Sequence, residues 1–197
     1  MRIGIDIDGV LTNLEQFLLD YGTKFNYENN IENKVNVSAY DEYQAFGWTK
    51  EQGDKFWNTY LKYYVLNSKP RKFAKEVIDK LKENNEIYIV TARNEYGLLP
   101  EDIGKMQEFT KRWLNNNEIY YNKLVFSGED KLQYCKNNNI DILIDDSDKN
   151  IKEVSSYIKV FCMDAPYNKS CEGKNIVRVH SWYDILEKIE TIENKSY

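Results

Sequence analysis

Asp6 and Asp8 stand two residues apart in the opening stretch M-R-I-G-I-D-I-D-G-V-L-T-N, directly before Gly9. Two carboxylates that close repel each other in a water-poor setting, so either a cation sits between them or one holds a proton. Taken alone, the pair also reads as an ordinary strand end, because Asp and Gly are common turn residues. The chain then supplies Thr91, Lys131, Asp145 and Asp146, each just beyond a short β-type run. Singly, Thr91 is an ordinary strand residue and Lys131 a solvated helix start. Together, four carboxylates, a hydroxyl and an ammonium at one sheet edge form a costly cluster unless a metal ion and an anion fill it. Oxygen donors without His or Cys suit Mg²⁺ rather than Zn²⁺.

The elements that must position these groups follow from hydrophobic spacing. Ile3, Ile5 and Ile7 form a buried strand whose alternation puts Asp6 and Asp8 on one side, and Gly9 permits a sharp departure. Leu14, Phe17, Leu18, Tyr21 and Phe25 share a helix face, residues 27–38 read as a solvated loop or weak helix, and Thr49 with Gln52 makes a capping box. The helix after that box turns Phe56, Trp57, Tyr60, Leu61 and Tyr64 to one side. Pro70 starts afresh, with Phe73, Val77, Ile78 and Leu81 on the inner face of a helix. Strands over 87–90, 123–127, 141–144, 159–163 and 176–179 then alternate with helices, the last of them capped by Ser181. Such alternation predicts an α/β fold with a parallel sheet covered on both faces. Residues 1–14 and 69–197 form its core, and 15–68 a mainly helical insertion after the first strand. Ligands of such sheets bind beyond the carboxyl ends of the strands, where all six groups fall.

A net charge of −5 argues against a broad basic face for nucleic acid or anionic lipid. Cys135, Cys162 and Cys171 are too few and scattered for a disulfide framework. No apolar run approaches the roughly 20 residues of a membrane span. The first strand begins right after Met1, so a cytoplasmic location without a signal peptide is expected.

D-I-D-G-V-L-T, V-T-A-R, G-E-D-K and L-I-D-D, in this order and at these strand ends, resemble the four motifs of the haloacid dehalogenase superfamily of phosphatases. Within it, D-G-V-L, D-A-P-Y-N at 164–168 and R-V-H-S-W at 178–182 are similar to the cytosolic 5'(3')-deoxyribonucleotidases and related bacterial nucleotidases. The resemblance implies a Rossmann-like three-layer core with a small helical cap, and a Mg²⁺-dependent phosphomonoesterase acting on nucleoside monophosphates. Asp6 is the implied nucleophile, forming an aspartyl-phosphate, and Asp8 the acid/base. Mg²⁺ falls to the Asp6 and Asp146 carboxylates and the Asp8 carbonyl, and phosphate to Thr91, the amides from Ala92 onward and Lys131. Asp145 is assigned to orienting water or Lys131. Asp8 also speaks against carbon–halogen cleavage, since dehalogenating members lack that acid. Lys123 competes for the phosphate but opens its strand, at the wrong edge of the sheet.

Several readings stay open. Arg93 serves either as a substrate contact or as a structural ion pair. Most aromatics of the insertion pack inward, with Phe46 and Trp48, in a loop between helices, favoured to stack on a base. Tyr167 and Asn168 belong to the rim, and His180 to packing or surface. Other substrates in view are a sugar phosphate and, disfavoured by charge, nucleic-acid ends; a non-catalytic phosphate-binding protein is the remaining alternative.

Overall fold

Short runs of Ile, Val and Leu, bounded by Asn-rich or charged turns, fold into six parallel strands in the order β3-β2-β1-β4-β5-β6. They are β1 (Arg2–Ile5), β2 (Glu86–Thr91), β3 (Lys123–Phe126), β4 (Ile142–Asp145), β5 (Lys159–Met163) and β6 (Ile176–Val179). The computed structural model describes residues 1–128 and 130–195. Glu129 of the G-E-D-K run, and the last two residues of a C-terminus expected to fray, lie outside them. Glu193 and Asn194 close the last helix rather than fraying.

Alternation along the strands sorts the core into two apolar layers. Ile3, Ile5, Ile87, Ile89, Ile142 and Ile144 face α4 (Ala74–Leu81), α5 (Met106–Asn116) and α8 (Trp182–Asn194), where Val77, Trp113 and Trp182 are buried. Leu143, Val160 and Cys162 face α6 (Lys131–Asn137) and α7 (Asp148–Ser155), through Cys135, Ile151 and Val154. Burying each of these large side chains is worth about 1.5–3 kcal/mol. This sheet carries the site, because Ile5 pairs with both Ile89 and Ile144. One residue further on, Asp6 therefore emerges level with Asp145.

Two elements depart from the expected pattern. β1 ends at Ile5, and Ile7–Leu11 forms an irregular turn in which Gly9 takes φ +86°. Phe73 does not face inward: it precedes α4 with φ +68°, lies exposed, and packs edge-on against Tyr183. A left-handed start forces its Cβ out of the helical stripe.

Between β1 and α4 run α1 (Leu14–Glu28), α2 (Glu42–Phe46) and α3 (Lys50–Asn67). The Thr49–Gln52 capping box forms in both directions, at 3.3 and 2.8 Å. The apolar cluster of this insertion, which includes Phe17, Phe25, Phe46, Trp48 and Phe56, also takes in Leu98, Met106 and Phe109 from beyond β2. Gly97, at φ +84°, makes that contact close: a Cβ there would lie 2.9 Å from the Cβ of Trp57. Lys62 reaches the buried Asp102 carboxylate at 2.7 Å. Among the described residues no helix is long and apolar enough to cross a membrane.

Candidate active site

The Lys131 ammonium lies 2.7 Å from Asp6 Oδ1 and 2.8 Å from Asp145 Oδ2, and only 2% of its side chain is exposed. α6 places it there, with the Asp130 carboxylate capping that helix by accepting from the Gln133 amide at 2.9 Å. Asp145 ends β4 and is itself held in place, accepting from the Ser147 amide at 2.9 Å and from Asn150. Asp145 thus contacts Lys131 directly, one of the two partners its expected tasks involve.

Asp146 points into the same space. The Tyr167 hydroxyl donates to its carboxylate and Asn168 Nδ2 to its carbonyl at 2.8 Å, so both of these expected rim residues serve as its supports. Carboxylate oxygens of Asp6, Asp145 and Asp146 lie within 4.8 Å of one another. A Cβ on Gly9 would stand 2.1 Å from Asp146 Oδ2, so this position tolerates no side chain.

Asp8 has different company. Arg93 donates to it through Nε at 2.9 Å and Nη2 at 2.7 Å, and the Tyr64 hydroxyl of α3 donates at 2.7 Å. Arg93 thus forms an ion pair with Asp8, and both line one cavity. Thr91 is fully buried, its Oγ1 accepting from the Arg93 amide at 3.2 Å, while Ala92 beside it is exposed.

Burial is the main force raising Asp6; Lys131 offsets part of it, the Asp145 and Asp8 charges add to it, and the carboxyl is pushed up to about 7. Burial and the neighbouring Asp145 and Asp6 likewise drive Asp146 well above its ordinary value. For Asp8, burial is outweighed by the Arg93 guanidinium, which holds the carboxyl below its usual range. Burial would lower Lys131, but Asp145 and Asp6 outweigh it and raise the ammonium.

Four carboxylates thus face two cations, an excess of two negative charges when all ionise. A divalent cation with oxygen ligands fits that excess and the Asp6, Asp145 and Asp146 cluster. A carboxyl raised on folding contributes stability below its unfolded value that is lost as pH rises through its folded value. For Asp6 that window runs from 3.8 to about 7. The metal-free protein should therefore melt at progressively lower temperature from about pH 4 to pH 8. Saturating Mg²⁺ should raise the melting temperature more at the upper end. Equal Mg²⁺ shifts at both ends, read by calorimetry, would place the ion elsewhere.

Asp6, Asp8 and Lys131 open into a cavity of about 330 Å³, which Tyr40, Trp57 and Tyr96 also line. It is at the small end for ligand sites. Phe46 and Trp48, favoured to stack on a base, do not reach it. They stack on each other at 4.5 Å inside the insertion, 2% and 6% exposed, and Trp48 Nε1 donates to Asn26 at 2.6 Å. A five-residue α2 cannot bury its own face without them. Tyr64 and Tyr96 escape a reading of sequence: the first shares a helical stripe with core residues, and the second lies in a patternless loop. His180 is exposed, its Nδ1 3.6 Å from Asp164, far from this chemistry in role.

A parallel sheet in this order, with a carboxylate set at its central strand ends and a helical insertion after β1, defines a haloacid dehalogenase-like fold. Two solved structures share the fold. A Streptococcus pneumoniae haloacid dehalogenase-like hydrolase matches with TM-score 0.65 and 13% identity, covering 95% of this chain and 97% of that one. A haloacid dehalogenase-like protein of unknown function from Agrobacterium tumefaciens matches with TM-score 0.68 and 11% identity, covering 97% and 98%. The chain belongs to the family of 5' nucleotidase, deoxy (pyrimidine), cytosolic type C proteins, whose model matches residues 1–196. A nucleotidase of Clostridium acetobutylicum is 29% identical over 200 residues, 100% of this chain and 97% of the relative. The protein is accordingly a phosphoric monoester hydrolase.

Proposed function

We propose that the protein hydrolyses nucleoside 5'-monophosphates in a Mg²⁺-dependent reaction through an aspartyl-phosphate on Asp6. The observation that carries this reading is the convergence of Asp6, Lys131, Asp145 and Asp146 beneath an aromatic-lined cavity. An Asp6 carboxylate oxygen attacks phosphorus as the bond to the leaving oxygen breaks, and Asp8, which enters this step in its protonated form, transfers that proton to the leaving oxygen and becomes the carboxylate. Asp8 later takes a proton from the water that attacks the aspartyl-phosphate, releasing phosphate and restoring Asp6. Lys131, Thr91 and the amides from Ala92 onward bind the phosphoryl oxygens as charge redistributes. The Asp6 and Asp146 carboxylates with the Asp8 carbonyl would hold Mg²⁺, which when bound screens the nucleophile from the dianionic substrate.

Tyr40, Trp57 and Tyr96 replace Phe46 and Trp48 as the rings offered to a base. The three cysteines are buried and free, in keeping with a cytoplasmic protein. The test is a panel of mononucleotides, sugar phosphates and an aryl phosphate, with and without Mg²⁺. Nucleotide turnover should exceed sugar-phosphate turnover at least about tenfold in kcat/KM and vanish on chelation. Equal or better turnover of sugar phosphates would overturn the nucleotide reading.

A further inference from the structure

We propose that Tyr64, a side chain of the insertion, is a positioning residue that fixes Asp8 for delivery of the proton to the leaving oxygen. The inference rests on the phosphomonoesterase reading above. Tyr64 belongs to α3, whereas Asp8 belongs to the turn after β1, and the hydroxyl bridges them at 2.7 Å. Tyr64 is 2% exposed and lines the cavity that holds Asp6 and Asp8.

The direction of the hydrogen bonds follows from what each group can do. Tyr64 donates to Asp8 Oδ1, an oxygen that accepts both when the carboxyl is ionised and when it carries its proton on Oδ2 for delivery. With that proton committed, Tyr64 can only accept from Thr12 Oγ1, 2.6 Å away. Thr12 therefore donates to Tyr64. Its other partner, the Ile7 carbonyl, keeps the Thr12 amide at 2.9 Å. The chain Thr12 to Tyr64 to Asp8 has a single direction, and it ends on Asp8 Oδ1.

Arg93 grips the same carboxylate through two nitrogens, and its guanidinium lies 5.7 Å from the Tyr64 ring and 5.9 Å from that of Trp113. Three donated hydrogen bonds from two elements hold the Asp8 carboxylate against rotation. Asp6 is fixed separately by Lys131, so the nucleophile keeps its place whatever happens at Tyr64. Losing the hydroxyl should affect the proton delivered by Asp8 and spare the attack by Asp6.

That separation supplies the test. Phosphate esters of alcohols leave as poor alkoxides and need the proton, whereas a dinitrophenyl phosphate has a leaving group stable without one. Because kcat/KM reports steps up to the first irreversible one, it isolates the formation of aspartyl-phosphate from its later hydrolysis. Tyr64→Phe should lower kcat/KM for a nucleotide about tenfold or more and for dinitrophenyl phosphate by less than about threefold. KM for the nucleotide should change little. The variant should fold, because Thr12 Oγ1 lies 3.2 Å from the Ile7 carbonyl and can turn its proton there.

Thr12→Val, which leaves the Tyr64 hydroxyl in place but removes its donor, should produce a smaller loss with the same substrate bias. Equal losses on both substrates, or none on either, would overturn the proposal and leave the enzyme's reaction class standing. A wild-type protein inactive on every phosphomonoester, with Asp6→Asn no different, would instead remove the reading on which the proposal rests.

Discussion

Asp6→Asn is expected to abolish turnover, lowering kcat by at least about 10³-fold, while leaving a protein more stable than the wild type at pH 8. The loss follows from chemistry: an amide oxygen cannot form the acyl-phosphate bond, and the neighbouring carboxylates are each held by other partners, Asp146 by Tyr167 among them. Asp145 is engaged by Lys131, Ser147 and Asn150, and Asp8 by Arg93 and Tyr64. The gain follows from electrostatics. Burial and the neighbouring Asp145 and Asp8 charges push Asp6 up to about 7, so its ionised form is the destabilising one. Asn carries no charge at any pH and keeps an oxygen for the Lys131 ammonium. The stability difference should be largest above about pH 7 and shrink toward pH 4, where wild-type Asp6 is protonated in the folded chain and nearly half protonated in the unfolded one. Steady-state hydrolysis and thermal unfolding across that range measure both effects. Activity within tenfold of the wild type would remove Asp6 as nucleophile.

Which of these groups a sequence reveals depends on how each is placed. Asp145 and Asp146 end an apolar run, and such a run changes character only where the strand leaves the core, so a carboxylate there marks the sheet edge. Lys131 is legible for the same reason, following the third strand at the start of a helix. The partners of Asp8 are not legible in that way. Arg93 lies two residues beyond β2, and only the parallel pairing of β1 and β2 brings it beside the turn after β1. Tyr64 is one of five apolar positions on α3, and spacing cannot say which edge of that stripe meets the cavity. Trp57, Leu61 and Tyr64 face it, whereas Phe56 is fully buried in the insertion. Phe46 and Trp48 mislead because a loop between helices suggests exposure, although an insertion with so short an α2 needs every ring for its own interior. Residues 94–104 carry no periodicity, and their packing on α3 through Gly97 is a tertiary fact.

That packing ties the insertion to the segment after β2. Leu98, Met106 and Phe109 join its apolar cluster, and Tyr96 donates to Asp54 of α3. Motion of α3 relative to β1 must therefore carry the segment after β2 with it or break these contacts. The segment that supplies Ala92 and Arg93 to the site leads directly into that shared cluster, so the turn after β2 and the aromatic wall are mechanically joined.

Lys131→Met should have the largest combined effect on stability and activity. The side chain is unbranched and of similar length, so packing in a site 2% exposed is largely kept. What disappears is an ammonium within hydrogen-bond reach of both Asp6 and Asp145. Breaking a buried ion pair by removing one partner costs about 3–5 kcal/mol, because the other charge is left uncompensated. Part of that cost is avoidable here: Asp6, already raised, can take up a proton near neutral pH, so the destabilisation should grow as pH rises from about 6 to 8. Mg²⁺ should return some stability, since it answers the same excess of negative charge. It should not return activity if, as proposed, Lys131 donates to the phosphoryl oxygens as charge moves. A fall in kcat/KM of about 10²–10³-fold is expected with saturating Mg²⁺. Urea unfolding at two pH values, with and without the ion, separates the two roles of Lys131. If stability changes by less than about 1 kcal/mol while activity disappears, Lys131 acts on the substrate alone and the carboxylates are balanced by another cation.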